Sequence, residues 1–321
     1  MDIRSGSDFT VEQIAACSNE AFADYFGHPI VWTPEELDGY MPSHCISKER
    51  SLVACPEGSD TPVGFALMAY RDDLPGHARL AGMGVVPGWA GKGVGSRLIA
   101  AMVDAARADG TETIWLEVIT KNAPAIKLYS RNGFEVVRPL AGWTRDADDP
   151  AAAGGEGRQA APERKQEQEQ EQEQEQEQEQ EQEQRGRQQP ELEECTPDEV
   201  LRLMKRHGAA ADLPWQLWHQ FALSARPQSC RGFRLGAAHC AISDPEDDSK
   251  DTVNLLGAAV EPEARGKGDA TALLRAVMAR YPGKKWKAPA TIPLEYGETI
   301  AKRLGFTMET ISMDLMKLCI K

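Results

Sequence analysis

Two short phrases of this chain occur twice, in the same order, on either side of a stretch that cannot build a core. Gly91-Lys92-Gly93 returns 175 residues later as Gly266-Lys267-Gly268, and Gly133-Phe134 returns 172 residues later as Gly305-Phe306. The landmarks stand 42 residues apart in the first copy and 39 in the second. Order and spacing together point to a duplicated unit, and 321 residues give each copy enough chain for its own core. Between the copies, an Ala- and Gly-rich run from Ala151 to Gly157 leads into nine glutamates alternating with glutamine from Gln166 to Gln184. A two-residue period puts Glu on every face of a helix, with like charges four residues apart. The expected organisation is a domain over 1–145, a disordered Glu/Gln-rich linker over 146–189 and a second domain over 190–321.

The net charge of −14, from 50 acidic and 36 basic residues, disfavours a nucleic-acid partner, although the nine linker glutamates supply part of it. No stretch approaches the ~20 apolar residues of a membrane helix, and Met1-Asp2-Ile3-Arg4 lacks the pattern of a secretory signal. The seven cysteines form no C-x-x-C pair and stand at no metal-ligand spacing with His, so they read as reduced thiols. These features predict a soluble cytoplasmic protein that binds no nucleic acid, membrane or metal.

In the first copy, helices are predicted over Val11 to Phe22, Pro34 to Tyr40, Val94 to Ala108 and Ala123 to Arg131. Strands are predicted over Ser51 to Ala54, Pro62 to Tyr70, Ala78 to Val86, Thr113 to Ile119 and Phe134 to Leu140. The second copy repeats the order, with helices at Pro197 to Arg206, Pro214 to Leu223, Thr271 to Tyr281 and Glu298 to Leu304. Its strands are expected at Phe233 to Ile242, Val253 to Val260 and from Phe306 onward. Lys284, Lys285 and Lys287 around Trp286 read as a solvated turn. The pattern is mixed α/β around a central sheet.

Gly91-Lys92-Gly93-Val94-Gly95-Ser96 follows a predicted strand and opens an amphipathic helix. Glycines let backbone N–H groups approach a ligand closely, and a helix N-terminus favours negative charge, so this stretch reads as a phosphate cradle. It is not a Walker loop, and its spacing is not that of a dinucleotide fold. The run from Val85 to Gly95, then Trp115-Leu116-Glu117-Val118, then Asn122 to Phe134, resembles the GNAT superfamily of N-acetyltransferases. The likeness spans roughly Val11 to Leu140 and is greatest to its N-terminal and small-molecule amine acetyltransferases; a weaker echo covers the second copy. The resemblance implies two such α/β domains in tandem, acetyl-CoA as acyl donor, no metal, and a small-molecule or peptide amine as acceptor.

The resemblance also implies roles. Backbone N–H groups from Gly91 to Ser96 would bind the pyrophosphate, and the strand from Met83 through Val85 and Val86 would lie along the pantetheine. Tyr129 would protonate the leaving thiolate, its alternative being a core aromatic. Glu117 would act as general base, or else have a partner, since a buried unpaired carboxylate is costly. Asn122 is read equally as a helix cap and as a ligand contact, and Lys92 as a phosphate contact or a solvated side chain. Tyr25, Phe26 and Trp32, with Phe22, would wall the acceptor pocket, and Asp24, Glu35 or Glu36 could meet a cation. The family's usual Arg or Gln at the head of the cradle is replaced here by Ala90.

In the second copy the cradle keeps Arg265 with Gly266, Lys267 and Gly268, so cofactor binding is possible there, although Asp269 follows. Counting back from Phe306 places Ala301 where Tyr129 stands and Pro289 where Glu117 stands. This copy reads as a degenerate domain, structural or ligand-binding. The first copy also lacks a final strand, which the other copy is expected to lend from Ile311 to Leu318. Two functions follow: acetyl-CoA-dependent N-acetyl transfer to a primary amine by direct attack, or a catalytically weak acyl-CoA-binding regulator or scaffold.

Overall fold

The computed structural model describes residues 1–27, 29–147, 191–208, 214, 229–247 and 249–320. The linker expected over 146–189 lies outside these from residue 148 on, as does all but Pro214 of the helix expected from Pro214 to Leu223. The first half runs β1 (Asp2–Ser5), α1 (Val11–Ala21), α2 (Pro34–Ser43), β2 (Ile46–Cys55), β3 (Gly64–Tyr70) and β4 (His77–Val85). It continues with α3 (Val94–Ala108), β5 (Thr113–Ile119), α4 (Ala123–Arg131) and β6 (Glu135–Arg145). The second half runs β7 (Glu193–Cys195), α5 (Pro197–Gly208), β8 (Cys230–Leu235), β9 (Ala238–Ser243) and β10 (Thr252–Val260). It ends with α6 (Asp269–Arg280), β11 (Lys285–Pro293), α7 (Leu294–Arg303) and β12 (Thr307–Cys319). Helix starts follow local chemistry: Thr10 with Gln13, and Thr33 with Glu36, form capping boxes on α1 and α2.

The strands of both halves form one sheet, in the order β1-β2-β3-β4-β5-β12-β6-β11-β10-β9-β8-β7. Each half therefore holds the last strand of the other. β12 pairs antiparallel with β5 from Met313 opposite Ile119 to Cys319 opposite Thr113, which supplies the strand that the first copy lacks. In return β6 pairs with β11, placing Trp143 opposite Ala288. The two exchanged strands pair with each other at the centre. The apolar core crosses the same boundary, since Val200, Leu201, Met204 and Met316 join Ile14, Phe65, Leu98 and Leu116 in one buried cluster. Burying each such aliphatic side chain stabilises by about 1.5–3 kcal/mol.

Parallel pairing is brief in both halves. β4 meets β5 only from His77 opposite Thr113 to Arg79 opposite Trp115. β10 meets β11 only from Thr252 opposite Lys285 to Asn254 opposite Lys287. Beyond those pairs the strands part, and each half opens a V-shaped cleft. A register shift in β3–β4 skips Ala81, and one in β9–β10 skips Leu256, at matching places.

Two expectations are corrected. Phe233 to Ile242 is not one strand but the hairpin β8–β9, turning at Gly236 and Ala237, with Gly236 at φ +57°. The lysine-rich stretch around Trp286 is not a solvated turn. It begins strand β11, where Trp286 and Ala288 are buried between exposed Lys285 and Lys287.

Candidate active site

The first cradle begins where β4 ends. A short 3₁₀ turn, Pro87–Trp89, leads to Gly91 at φ +74° and Gly93 at φ +81°. A Cβ added at either would meet no atom within 4 Å, so the backbone conformation, not crowding, requires glycine. Gly93 caps α3 without any side-chain bond, which leaves the first-turn N–H groups of Val94, Gly95 and Ser96 uncapped by side chains and aimed outward. Gly95 is needed for space, since its Cβ would stand 3.0 Å from Leu128 Cδ2 and 3.2 Å from Met83 Cε. Lys92 Nζ lies 5.0 Å from the Trp89 ring centroid. Val86 follows the end of β4, and its N–H donates to the Val63 carbonyl at 3.0 Å, so Val85 is the last residue of the strand itself.

Tyr129 sits on α4, buried, its ring 5.7 Å from that of Phe134. Among the described residues its hydroxyl has no hydrogen-bond partner. Burial pushes its pKa well above the usual phenol range, with the nearby Tyr25 adding to the shift. The group therefore stays a proton donor at neutral and alkaline pH. Asn122 caps the same helix, Oδ1 accepting from Ala125 N–H at 3.2 Å, and its side chain lies near enough to Tyr25 to offset part of the rise that burial gives that phenol's pKa. The fold thus gathers Tyr25, Asn122 and Tyr129.

Glu117 has a partner. Arg79 donates to its Oε2 from Nη2 at 2.6 Å and from Nε at 2.8 Å, with side-chain exposures of 11% for Arg79 and 4% for Glu117. The second oxygen, Oε1, is buried and has no hydrogen-bond partner among the described residues, so the carboxylate keeps one acceptor for something else. The pair lies near α2, whose Tyr40 feels the charges of both Arg79 and Glu117. Tyr40 stacks on His44 at 3.8 Å and lies 4.7 Å from Trp32. Burial lowers the pKa of His44 against a hydrogen bond to the Tyr40 carbonyl, and Arg79 lowers it further, favouring a neutral imidazole.

The segment before α2 is tied down by Asn19, which accepts from Trp32 N–H at 2.8 Å and donates to its carbonyl at 3.0 Å. Phe22, Tyr25 and Phe26 follow one another edge to face at 5.0 and 4.9 Å. Phe26 is exposed and left-handed at φ +55°. Trp32 therefore joins the Glu117 side of the cleft and Tyr25 the Tyr129 side. Arg79, Tyr40 and His44 are additional to the residues legible in the sequence. A lone arginine within the apolar run Ala78 to Val86 was the available signal for the first.

The second half repeats the frame with other side chains at the places of Tyr129 and Glu117. Gly266 and Gly268 are left-handed at φ +80° and +91°, and Gly268 caps α6 with no side-chain bond. Arg265 Nε donates to the Val260 carbonyl at 3.1 Å. Phe306 N–H donates to Ala301 O at 2.9 Å, just as Phe134 N–H donates to Tyr129 O at 3.1 Å, so Ala301 occupies the structural place of Tyr129. A cavity of about 750 Å³ opens between β10, β11, α6 and α7.

Residues 14–134 match the model of the acetyltransferase (GNAT) family. Among curated proteins, 85 residues are 39% identical to streptothricin acetyltransferase of Streptomyces lavendulae, covering 26% of this chain and 44% of that one. A further match, 32% identical over 162 residues, is to mycothiol acetyltransferase of Propionibacterium freudenreichii subsp. shermanii, and covers 49% of this chain and 50% of that one. The chain spans half or less of these relatives. Among solved structures, a GCN5-related N-acetyltransferase from Sphaerobacter thermophilus superposes with a TM-score of 0.59 at 16% identity, over 100% of this chain and 96% of that one. A tandem GNAT protein from the clavulanic acid biosynthesis pathway superposes with a TM-score of 0.56 at 17% identity, over 100% and 98%. At such identities the likeness is one of fold, and it extends over both halves.

Proposed function

From a chain whose first half carries a domain of the acetyltransferase (GNAT) family, we propose that the protein is an acetyl-CoA-dependent N-acetyltransferase acting on a primary amine of a small molecule or peptide in the cytoplasm. The reading divides the chain into a catalytic domain over 1–145, a linker over 146–189 and a non-catalytic domain over 190–321. The N–H groups from Gly91 to Ser96 hold the pyrophosphate, and Val85 at the end of β4 guides the pantetheine into the cleft. The amine enters beneath Tyr25 and Trp32 and gives a proton to Glu117 through the free Oε1. The neutral amine so formed attacks the thioester carbonyl carbon; the C–N bond forms, the C–S bond breaks, Tyr129 gives its phenolic proton to the departing thiolate, and the proton left on the nitrogen passes through water to restore the phenol, while Glu117 releases its own to solvent. A positioned acid or base of this kind contributes ~10²–10⁴ in rate.

The observation that carries the reading is the buried Glu117 Oε1, which has no hydrogen-bond partner among the described residues while Arg79 holds Oε2. The relatives named for acetyl transfer support it. The second reading, a catalytically weak acyl-CoA-binding regulator, is favoured by Ala90 at the head of the cradle and by the hold of Arg79 on Glu117. The two are separated by incubating the full chain with acetyl-CoA and a panel of primary amines, following thiol release and acetylated product. Amine-dependent thiol release matched by product establishes transfer. Acetyl-CoA binding with no release above background for any amine establishes the regulator.

A further inference from the structure

We propose that the acceptor of the first cleft is a small diamine or oligoamine, whose second ammonium is held by Glu20 and Asp24 at the C-terminal end of α1 while its first meets Glu117. The proposal rests on the reading of this cleft as the site of an amine acceptor. The segment from Glu20 to Asp38 holds Glu20, Asp24, Glu35, Glu36 and Asp38, all exposed, and neither Lys nor Arg. Helix chemistry accounts for two of these acids. Glu35 and Glu36 lie in the first turn of α2, where negative charge is favoured, and Glu36 closes a capping box.

The same chemistry disfavours the acids of α1. Glu20 stands in its last turn, which holds no basic residue, and Asp24 follows shortly after the helix ends. Carbonyl groups already make that end negative, so a Lys or Arg would stabilise it and an acid does not. Among the described residues neither acid has a cationic partner, and Asp24 accepts only from Gly27 N–H at 3.3 Å. A local rule broken with no compensating contact marks a functional position. The place suits an acceptor. Ala21, next to Glu20, packs on Gly84, where an added Cβ would stand 2.9 Å from its own, so the end of α1 sits over the cleft end of β4. On the other side of Glu20, Asn19 holds both backbone groups of Trp32. At the inner end, Glu117 is 4% exposed, Arg79 is committed to its Oε2, and Oε1 has no hydrogen-bond partner among the described residues. A buried oxygen that can take a proton from one ammonium, and an exposed negative rim that keeps the other charged, give the two ends of one molecule unlike environments. Half-buried Tyr25 and Trp32 supply apolar surface for the chain between them.

Acetyl transfer by the full chain to 1,5-diaminopentane and to n-hexylamine, which has a methyl group in place of the second ammonium, tests this. An exposed charge contact is worth up to about fivefold, so two acids at a helix end should favour the diamine in kcat/KM by ~10-fold, mainly through KM. This is beyond the factor of two from its equivalent ends. High salt should erase most of the preference. The Glu20→Gln/Asp24→Asn double variant, shown by thermal melts to be folded, should lose at least ~5-fold of it. The Glu49→Gln/Glu112→Gln control, exposed and away from the cleft, should keep it, which separates the rim from the net charge. Equal use of the two amines, a preference for hexylamine, a preference untouched in the rim variant, or one lost equally in the control overturns the proposal. If no amine is acetylated, calorimetry of the diamine with CoA present decides: binding that the rim variant weakens upholds the site and overturns the transfer reading alone, and no binding overturns both.

Discussion

Removing the Arg79 guanidinium tests how the Glu117 carboxylate is held. The pair is nearly dry, and two N–H groups converge on one oxygen at 2.6 and 2.8 Å. Deleting either partner leaves an unpaired charge in a largely buried site, at a cost of about 3–5 kcal/mol. Replacing both with apolar side chains of similar size removes both desolvation penalties, and such double replacements come out near neutral or stabilising. Arg79→Met and Glu117→Leu should each lower the unfolding free energy by that amount, read as a lower urea midpoint at unchanged slope. The double variant should recover most of it, giving a coupling energy of more than about 2 kcal/mol. Tryptophan fluorescence provides the readout, and the double variant should be stable yet inactive in acetyl transfer. Single variants within about 0.5 kcal/mol of wild type, or a double variant equal to their sum, would refute the reasoning.

Three further predictions concern other parts of the molecule. Gly297→Ala would set a Cβ 2.2 Å from Trp143 Cη2, so it should cost about 1–3 kcal/mol, with partial relief from an added Trp143→Phe. An unchanged melting profile would deny that β6 packs into the second half. Burial pushes the pKa of Asp73 up, but hydrogen bonds and charge from Arg71, with Lys205 from the other half, outweigh it and bring it down to about 2. The stability it lends is full above the unfolded value of ~3.9 and is lost as the pH falls through about 2. The stability gap between wild type and Asp73→Asn should close over that window, and a gap constant with pH contradicts this. Ala90→Arg should tighten acetyl-CoA binding by calorimetry, by about 1–3 kcal/mol at most, and no gain would mean that the backbone cradle suffices.

What was legible depended on the range of the interaction. The left-handed glycines before α3 and the cap at Asn122 are local features, so they were legible in short runs of residues. The missing final strand was legible as a shortfall, and β12 fills it. The turn at Gly236 was hidden because Leu235 and Ala238 continue the apolar run on either side of it. The start of β11 was masked by lysines that alternate with buried Trp286 and Ala288. Arg79 reaches Glu117 only through the three-pair parallel register of β4 and β5. Tyr40 and His44 reach the same place by helix packing. No local pattern encodes either juxtaposition.

The most direct test of the catalytic assignment is Tyr129→Phe in the full chain, measured twice: turnover with the best amine of the panel, and acetyl-CoA affinity by calorimetry. Loss of one oxygen that has no partner among the described residues should leave affinity and fold nearly unchanged. If the phenol is the acid, kcat falls by ~10²-fold or more. A variant that turns over like the wild type would contradict the assignment and return Tyr129 to the role of a core aromatic.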